Sequence, residues 1–183
     1  ISDIVIDGNR FSEIVPSEQR KQYDNAELID CSGLAILPAF YNAHTHAAMT
    51  LVRGYADDTP LFEWLNDYIW PFEAKLTAKD IEIGSRLAVL EMIKSGTVFF
   101  SDMYWHREAT MKVVEEMGIR AAIGVTISDV LTSPKDLEDN FTFLKQHKGE
   151  SERVKLVVMP HAIYTNTDEC FKRSIAIAKE EKY

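Results

Sequence analysis

From residue 35 onward, apolar runs of strand length alternate with stretches of helical period, and this alternation constrains the fold more than any other feature of the sequence. Residues 35–41 form a continuous apolar run broken only by Pro38, suited to a strand covered on both faces. Helical stretches follow at 61–70 and 78–94, the second opened by Thr77 with Asp80 three residues on and closed by Gly96. Its expected apolar stripe is Ile81, Leu87, Leu90 and Ile93. The pattern repeats as strand 97–103, helix 108–117 ending at Gly118, strand 119–127, helix 134–147, strand 154–159 and helix 168–182. Strands joined by helices at this spacing make parallel βαβ units. No strand is followed by a GxGxxG or P-loop glycine pattern, which argues against a nucleotide-cradling doubly wound sheet. The expected fold is therefore α/β, the first four strand–helix units of a (β/α)8 TIM-like barrel. The 183 residues fall short of the roughly 250 that a closed barrel takes.

Residues 1–34 read differently. Strands at 4–7 and 11–15 flank the turn Asp7-Gly8-Asn9, a polar loop covers 17–25, and a third strand is expected over 27–31, closed by Ser32-Gly33. That is too little apolar material to fold alone, so two domains are expected, 1–34 and 35–183. The balance of 46 % hydrophobic and 27 % charged residues is that of a globular protein and excludes a disordered or collagen-like chain. A net charge of −9 without a basic run makes nucleic acid and anionic membrane poor partners. The longest stretch without Asp, Glu, Lys or Arg, residues 31–52, contains Pro38, Asn42, His44 and His46, which suit a buried strand plus a site rather than a membrane span. Cys31 and Cys170 match no redox or zinc spacing, so free thiols and a cytoplasmic location are expected. No secretory or lipidation signal is visible, and the chain opens on Ile1 rather than Met.

Residues able to carry chemistry cluster where strands end. In His44-Thr45-His46 the two imidazoles stand at i and i+2, on one face of a strand, and can reach one metal ion; chance also produces such pairs. His161, after Met159-Pro160, would point at the same mouth, or cap a loop. Glu73 follows Trp70-Pro71-Phe72, and by spacing alone a solvated carboxylate is the better explanation of it. Asp102 is read as structural, and His106 has no assigned role. Helix packing accounts for Trp64, while Trp70 suits helix packing and the wall of a substrate-binding pocket for a flat ring equally. The acidic groups Glu115, Glu116, Asp136, Glu138 and Asp139 are read as solvated helix surface.

The run Leu37-Pro38-Ala39-Phe40-Tyr41-Asn42-Ala43-His44-Thr45-His46 resembles the first-strand motif of the amidohydrolase superfamily. Its continuation through Arg53-Gly54-Tyr55-Ala56-Asp57-Asp58 and Ile69-Trp70-Pro71-Phe72-Glu73 resembles one branch, the 5-methylthioadenosine/S-adenosylhomocysteine deaminases, which are related to triazine chlorohydrolases and guanine deaminases. The resemblance implies a small β-sandwich, of which residues 1–34 are part, beside a (β/α)8 barrel. It implies one divalent metal, usually zinc, with His44 and His46 among its ligands. Glu73 would contact a nucleoside's ribose, and His161 would line the substrate pocket. The remaining machinery, a third histidine ligand, an acid–base glutamate, a further histidine and an aspartate ligand, is expected after residue 183, so no catalytic residue is expected within these residues. The implied reaction is hydrolytic deamination of an adenosine-type nucleoside by an intact enzyme that is a homo-oligomer. Two departures stand out: Ala39 replaces the usual glycine, and Val125 and Asp136 stand where members that bind S-adenosylhomocysteine carry arginines. The alternatives are a deaminase or chlorohydrolase of a free purine, pterin or triazine ring, and, of another class, a non-catalytic fragment.

Overall fold

The turn expected at Asp7-Gly8-Asn9 forms. Gly8 takes φ +59°, which L side chains resist, and reverses the chain between two antiparallel strands, β1 (Ser2–Asp7) and β2 (Arg10–Pro16). The structure, a computed structural model, describes residues 2–147, 149 and 151–183. They fall into two units, Ile1–Leu37 and Pro38–Tyr183. In the first, Asp3 on β1 accepts hydrogen bonds from Arg20 Nε (2.5 Å) and Ser17 Oγ (3.0 Å), tying the segment after β2 back to the hairpin. The strand expected over 27–31 does not form, and Leu28 and Ile29 are 79 % and 73 % exposed. Its backbone finds no neighbouring ladder, and local bonds take over: Ser32 N–H donates to Asp30 Oδ1 (2.9 Å) and Leu34 N–H to the Cys31 carbonyl (3.0 Å).

In the second unit, β3 (Phe40–Thr45), β4 (Thr97–Met103), β5 (Arg120–Ile127) and β6 (Val154–Pro160) lie side by side in that order, all parallel. Between β3 and β4 come a 3-10 segment (Ala47–Val52), α1 (Leu61–Glu63), a π turn (Trp64–Ile69), α2 (Trp70–Glu73) and α3 (Ala78–Lys94). The later crossovers are α4 (Arg107–Met117) and α5 (Pro134–Gln146), and α6 (Asp168–Glu181) follows β6. β3 begins five residues later than the apolar run suggested. Its ladder starts where β4 starts, with Phe40 opposite Thr97 and Phe40 N–H on the Gly96 carbonyl (3.0 Å), so residues 35–39 have no strand to pair with. As a result His44 lies inside the strand and His46 one residue beyond it.

The capping box at Thr77 and Asp80 forms as read. The buried face of α3, however, is Ile81, Gly84, Ser85, Ala88, Val89 and Met92. Leu87, Leu90 and Ile93, expected on the buried stripe, are 42–48 % exposed. Small residues win because they let the helix come close: a Cβ on Gly84 would sit 2.5 Å from the Ala48 carbonyl oxygen, and Ser85 Oγ bonds Thr110 Oγ1 on α4 at 3.0 Å. The main core lies between sheet and helices, around Phe100, Val113, Val114, Ile123, Val125, Ile127, Phe141 and Leu144. β5, flanked on both sides, is buried from Ile123 to Ile127, as a central parallel strand should be. Cys31 and Cys170 are both free thiols. Among the described residues no helix is long and apolar enough to cross a membrane.

Candidate active site

The C-terminal ends of the four parallel strands carry His44, Asp102, Thr126 and, one residue beyond β6, His161. The rings of His44 and His46 are 5.2 Å apart between centroids, at 77° to each other. Imidazoles bound at about 2.0–2.1 Å put their centroids about 3.2 Å from a metal, and a tetrahedral angle then separates two of them by about 5.2 Å. The observed spacing therefore suits two ligands of one ion. His46 Nδ1 lies 2.6 Å from the Met103 carbonyl and can only donate to it, which leaves Nε2 as the free lone pair. Asp102, fully buried, accepts from Ala47 N–H at 2.6 Å and so holds the backbone immediately after His46. Burial pushes its carboxyl up to about 6, against the opposing pull of the Ala47 N–H and His44. Among the described residues no group of three or more His, Cys, Asp or Glu is arranged to hold a metal. The donors and separation of the pair fit two ligands of one zinc ion.

A cavity of about 90 Å³ opens beside His46. All three tryptophans of the chain, Trp64, Trp70 and Trp105, line it, with Glu73, Tyr104 and His161 as polar members. The π turn explains how one short helix contributes so much wall. Its i→i+5 hydrogen bonding stacks residues five apart on one face, so Trp64 and Leu65 lie above Ile69 and Trp70, and all four reach the cavity. Glu73 closes the same face and accepts a hydrogen bond from Trp105 Nε1 at 3.0 Å. The Tyr104 hydroxyl is pushed up, first by burial and then by the Glu73 carboxylate.

His161 stands across this cavity. Thr165 Oγ1 gives its one proton to the Ala162 carbonyl (3.2 Å), so His161 Nδ1 at 2.9 Å is the donor and Nε2 is left as an acceptor. Burial lowers the pKa of His161, His46 lowers it further, and Glu73 works in the opposite direction. The ring is accordingly neutral at pH 7. The candidates His44, His46, Glu73, Trp70 and His161 thus come to one end of the sheet, and all but His44 line the cavity itself. Trp64, read as helix packing, lines it as well, while Phe72 turns instead toward Tyr55, 6.2 Å between centroids. His106 stays outside: it takes a left-handed backbone before α4 and bonds the Leu76 carbonyl at 3.2 Å. Trp105 and Thr126 were missed. An indole two residues past the end of a strand, beside Asp102 and His106, was the available signal for the first. A lone hydroxyl in an apolar strand was the signal for the second.

The profile of the amidohydrolase family matches residues 35–183. The chain belongs to that family. Among curated amidohydrolase relatives, a 5'-deoxyadenosine deaminase of Methanococcoides burtonii is 43 % identical over 97 % of this chain and 40 % of its own length. A 5-methylthioadenosine/S-adenosylhomocysteine deaminase of Carboxydothermus hydrogenoformans is 41 % identical over 97 % of this chain and 42 % of its own. The chain thus spans about two-fifths of the length of these relatives. Among solved structures, an adenosine deaminase from Xanthomonas campestris with bound Zn superposes with a TM-score of 0.72 at 33 % identity, over 78 % of this chain and 34 % of that one. A guanine deaminase from C. acetobutylicum with bound guanine reaches a TM-score of 0.82 at 21 % identity, over 99 % of this chain and 46 % of that one, a likeness of fold. The hairpin followed by four parallel strands is accordingly part of the amidohydrolase barrel architecture.

Proposed function

We propose that this chain forms part of a metal-dependent aminohydrolase that releases ammonia from an adenosine-type nucleoside. The observation that carries the reading is the His44–His46 pair, spaced for one ion, whose His46 lines a cavity walled by three indoles and the Glu73 carboxylate. The similarity to 5'-deoxyadenosine and methylthioadenosine deaminases supports the substrate class. His44 and His46 would hold the metal, with the Met103 carbonyl fixing the His46 tautomer. A divalent metal bound there supplies a water whose pKa is lowered toward about 7. The indoles of Trp64, Trp70 and Trp105 exclude bulk water and sandwich a flat ring. Glu73, braced by Trp105, accepts from ribose hydroxyls, and the neutral His161 offers Nε2 as an acceptor. Two histidines fall short of the three protein ligands usual for catalytic zinc, so these residues alone are proposed to be inactive.

The test compares ammonia release from 5'-deoxyadenosine, methylthioadenosine and guanine by zinc-loaded protein with its complete ligand set. Faster turnover of either nucleoside supports the reading, and preference for guanine overturns it in favour of a free-base deaminase. The absence of arginine between Arg120 and Arg153 favours nucleosides without an amino-acid carboxylate over S-adenosylhomocysteine.

A further inference from the structure

Along β5, the side chains of Ile123, Val125 and Ile127 join the core between sheet and helices, so strand alternation turns Thr126 to the opposite face, where it lines the cavity. Thr126 is 8 % exposed, and its Oγ1 is buried without a hydrogen-bond partner among the described residues. Other buried hydroxyls are paired: Ser85 with Thr110, Ser128 with the Thr165 carbonyl, Ser174 with the Cys170 carbonyl. Tyr23, Arg107 and Asn166 also carry an unpartnered buried atom, but none of them lines the cavity. The backbone of Thr126 is pinned opposite Met159, and its carbonyl accepts from Asn140 Nδ2 at 3.0 Å, with Asn140 itself held by Arg107 Nη1 at 2.9 Å. The strand therefore cannot carry the hydroxyl away to find a partner. A buried hydroxyl is costly while unpaired, and a valine of the same shape would spare that cost.

We infer that the Thr126 hydroxyl hydrogen-bonds the bound nucleoside and is a specificity-determining contact of this cavity. The inference rests on the nucleoside reading above and adds a residue to it. β5 lies two strands from β3, about 10 Å at the usual spacing of neighbouring strands, so Thr126 meets the sugar side of the ligand rather than the carbon that reacts beside His44 and His46. Its loss therefore acts on KM and not on kcat.

The experiment uses zinc-loaded protein with its complete ligand set. Steady-state deamination of 5'-deoxyadenosine is measured for wild type, Thr126→Val and Thr126→Ser, together with thermal unfolding in the absence of nucleoside. Thr126→Val should raise KM about tenfold, the worth of one neutral hydrogen bond, with kcat within about threefold. Its Tm should be unchanged or higher, and Thr126→Ser should restore KM to within about threefold. A fall in Tm of several degrees with KM unchanged would show that the hydroxyl has a partner within the protein and would overturn the inference. So would a valine variant indistinguishable from wild type in KM, or one that lowers kcat alone. A wild-type protein that deaminates no adenosine-type nucleoside would overturn the functional reading and this inference with it. A wild type that does, matched by its valine variant, would overturn this inference alone.

Discussion

Replacing Gly84 by alanine sets two well-understood effects against each other. Intrinsic helix propensity favours alanine by about 1 kcal/mol in a helix interior. The packing opposes it: the added Cβ would lie 2.5 Å from the Ala48 carbonyl oxygen and 3.0 Å from both Ala48 Cα and Leu51 Cγ. Two of those three atoms belong to the backbone and cannot rotate aside. Relief needs the 3-10 segment after His46 to withdraw by about 1 Å, toward ordinary C···O contact of about 3.3 Å. That movement strains the bond from Thr50 Oγ1 to the Gly84 carbonyl (2.8 Å) and the one from Ala47 N–H to Asp102 (2.6 Å). Overpacking costs about 1–3 kcal/mol and a weakened hydrogen bond about 1 more, so a net loss of about 1–3 kcal/mol remains after the propensity gain. Urea and thermal unfolding read this directly, at about 2–4 °C of Tm per kcal/mol for a chain of this size. Zinc affinity, measured by chelator competition, should fall in parallel, because the segment that moves begins one residue after His46. Gly118→Ala is the control: φ is +79° but nothing lies within 4 Å, so it should cost about 1–2 kcal/mol through backbone strain and leave zinc affinity untouched. A Gly84→Ala protein as stable as wild type, or more stable, would refute the close approach of α3 to that segment.

His46→Ala should reduce zinc affinity by more than the 10–100-fold typical of losing an outer-shell partner, read as metal retained after dialysis. Full retention would remove His46 from the ligand set. Glu73→Ala should raise KM for nucleosides about 10–100-fold, the worth of a hydrogen bond to a charged group, with little change in kcat; an unchanged KM would contradict ribose binding. Hydrogen bonds from Arg86 and Lys112 hold Glu82 down to about 2, below its ordinary 4.5. A depressed carboxylate stabilises the fold above its unfolded pKa, and that contribution is lost as pH falls from about 4.5 to 2. The denaturation midpoints of wild type and Glu82→Gln should therefore differ at pH 6 and converge by pH 2; a constant gap would mean that the charge is not what stabilises.

The alternation of strands and helices was legible because each crossover carries its own punctuation, such as Thr77 with Asp80 before α3 and Gly118 after α4. The His44–His46 pair was legible because a period of two survives wherever the strand happens to begin. The face of α3 was not, because large apolar residues dominate a periodicity count while Gly84, Ser85 and Ala88 decide how near the helix comes. The strand expected over 27–31 failed for lack of a neighbour, and pairing is a property that no single segment contains. Trp64 joins the cavity through a π turn, whose register a search for period 3.6 reads as ordinary helix. Thr126 is a single hydroxyl in a buried strand, meaningful only once its neighbours are seen to offer it nothing.

The π turn also makes the cavity depend on residue count. An α-helix advances about 100° per residue. A π turn holds one residue more than the α turn it replaces, so a single deletion between Trp64 and Ile69 returns the segment to i→i+4 bonding with its two ends still on one face. A second deletion has nothing to absorb it and swings α2 by roughly that angle about its axis. Trp70 and Glu73 would leave the cavity together, with every remaining side chain chemically unchanged. Point substitutions on the outward face of this segment, at Asn66 or Asp67, and one single-residue deletion should be tolerated, whereas a two-residue deletion should abolish nucleoside binding. A deletion scan through 64–69 would register the difference as a phase error rather than a loss of contacts.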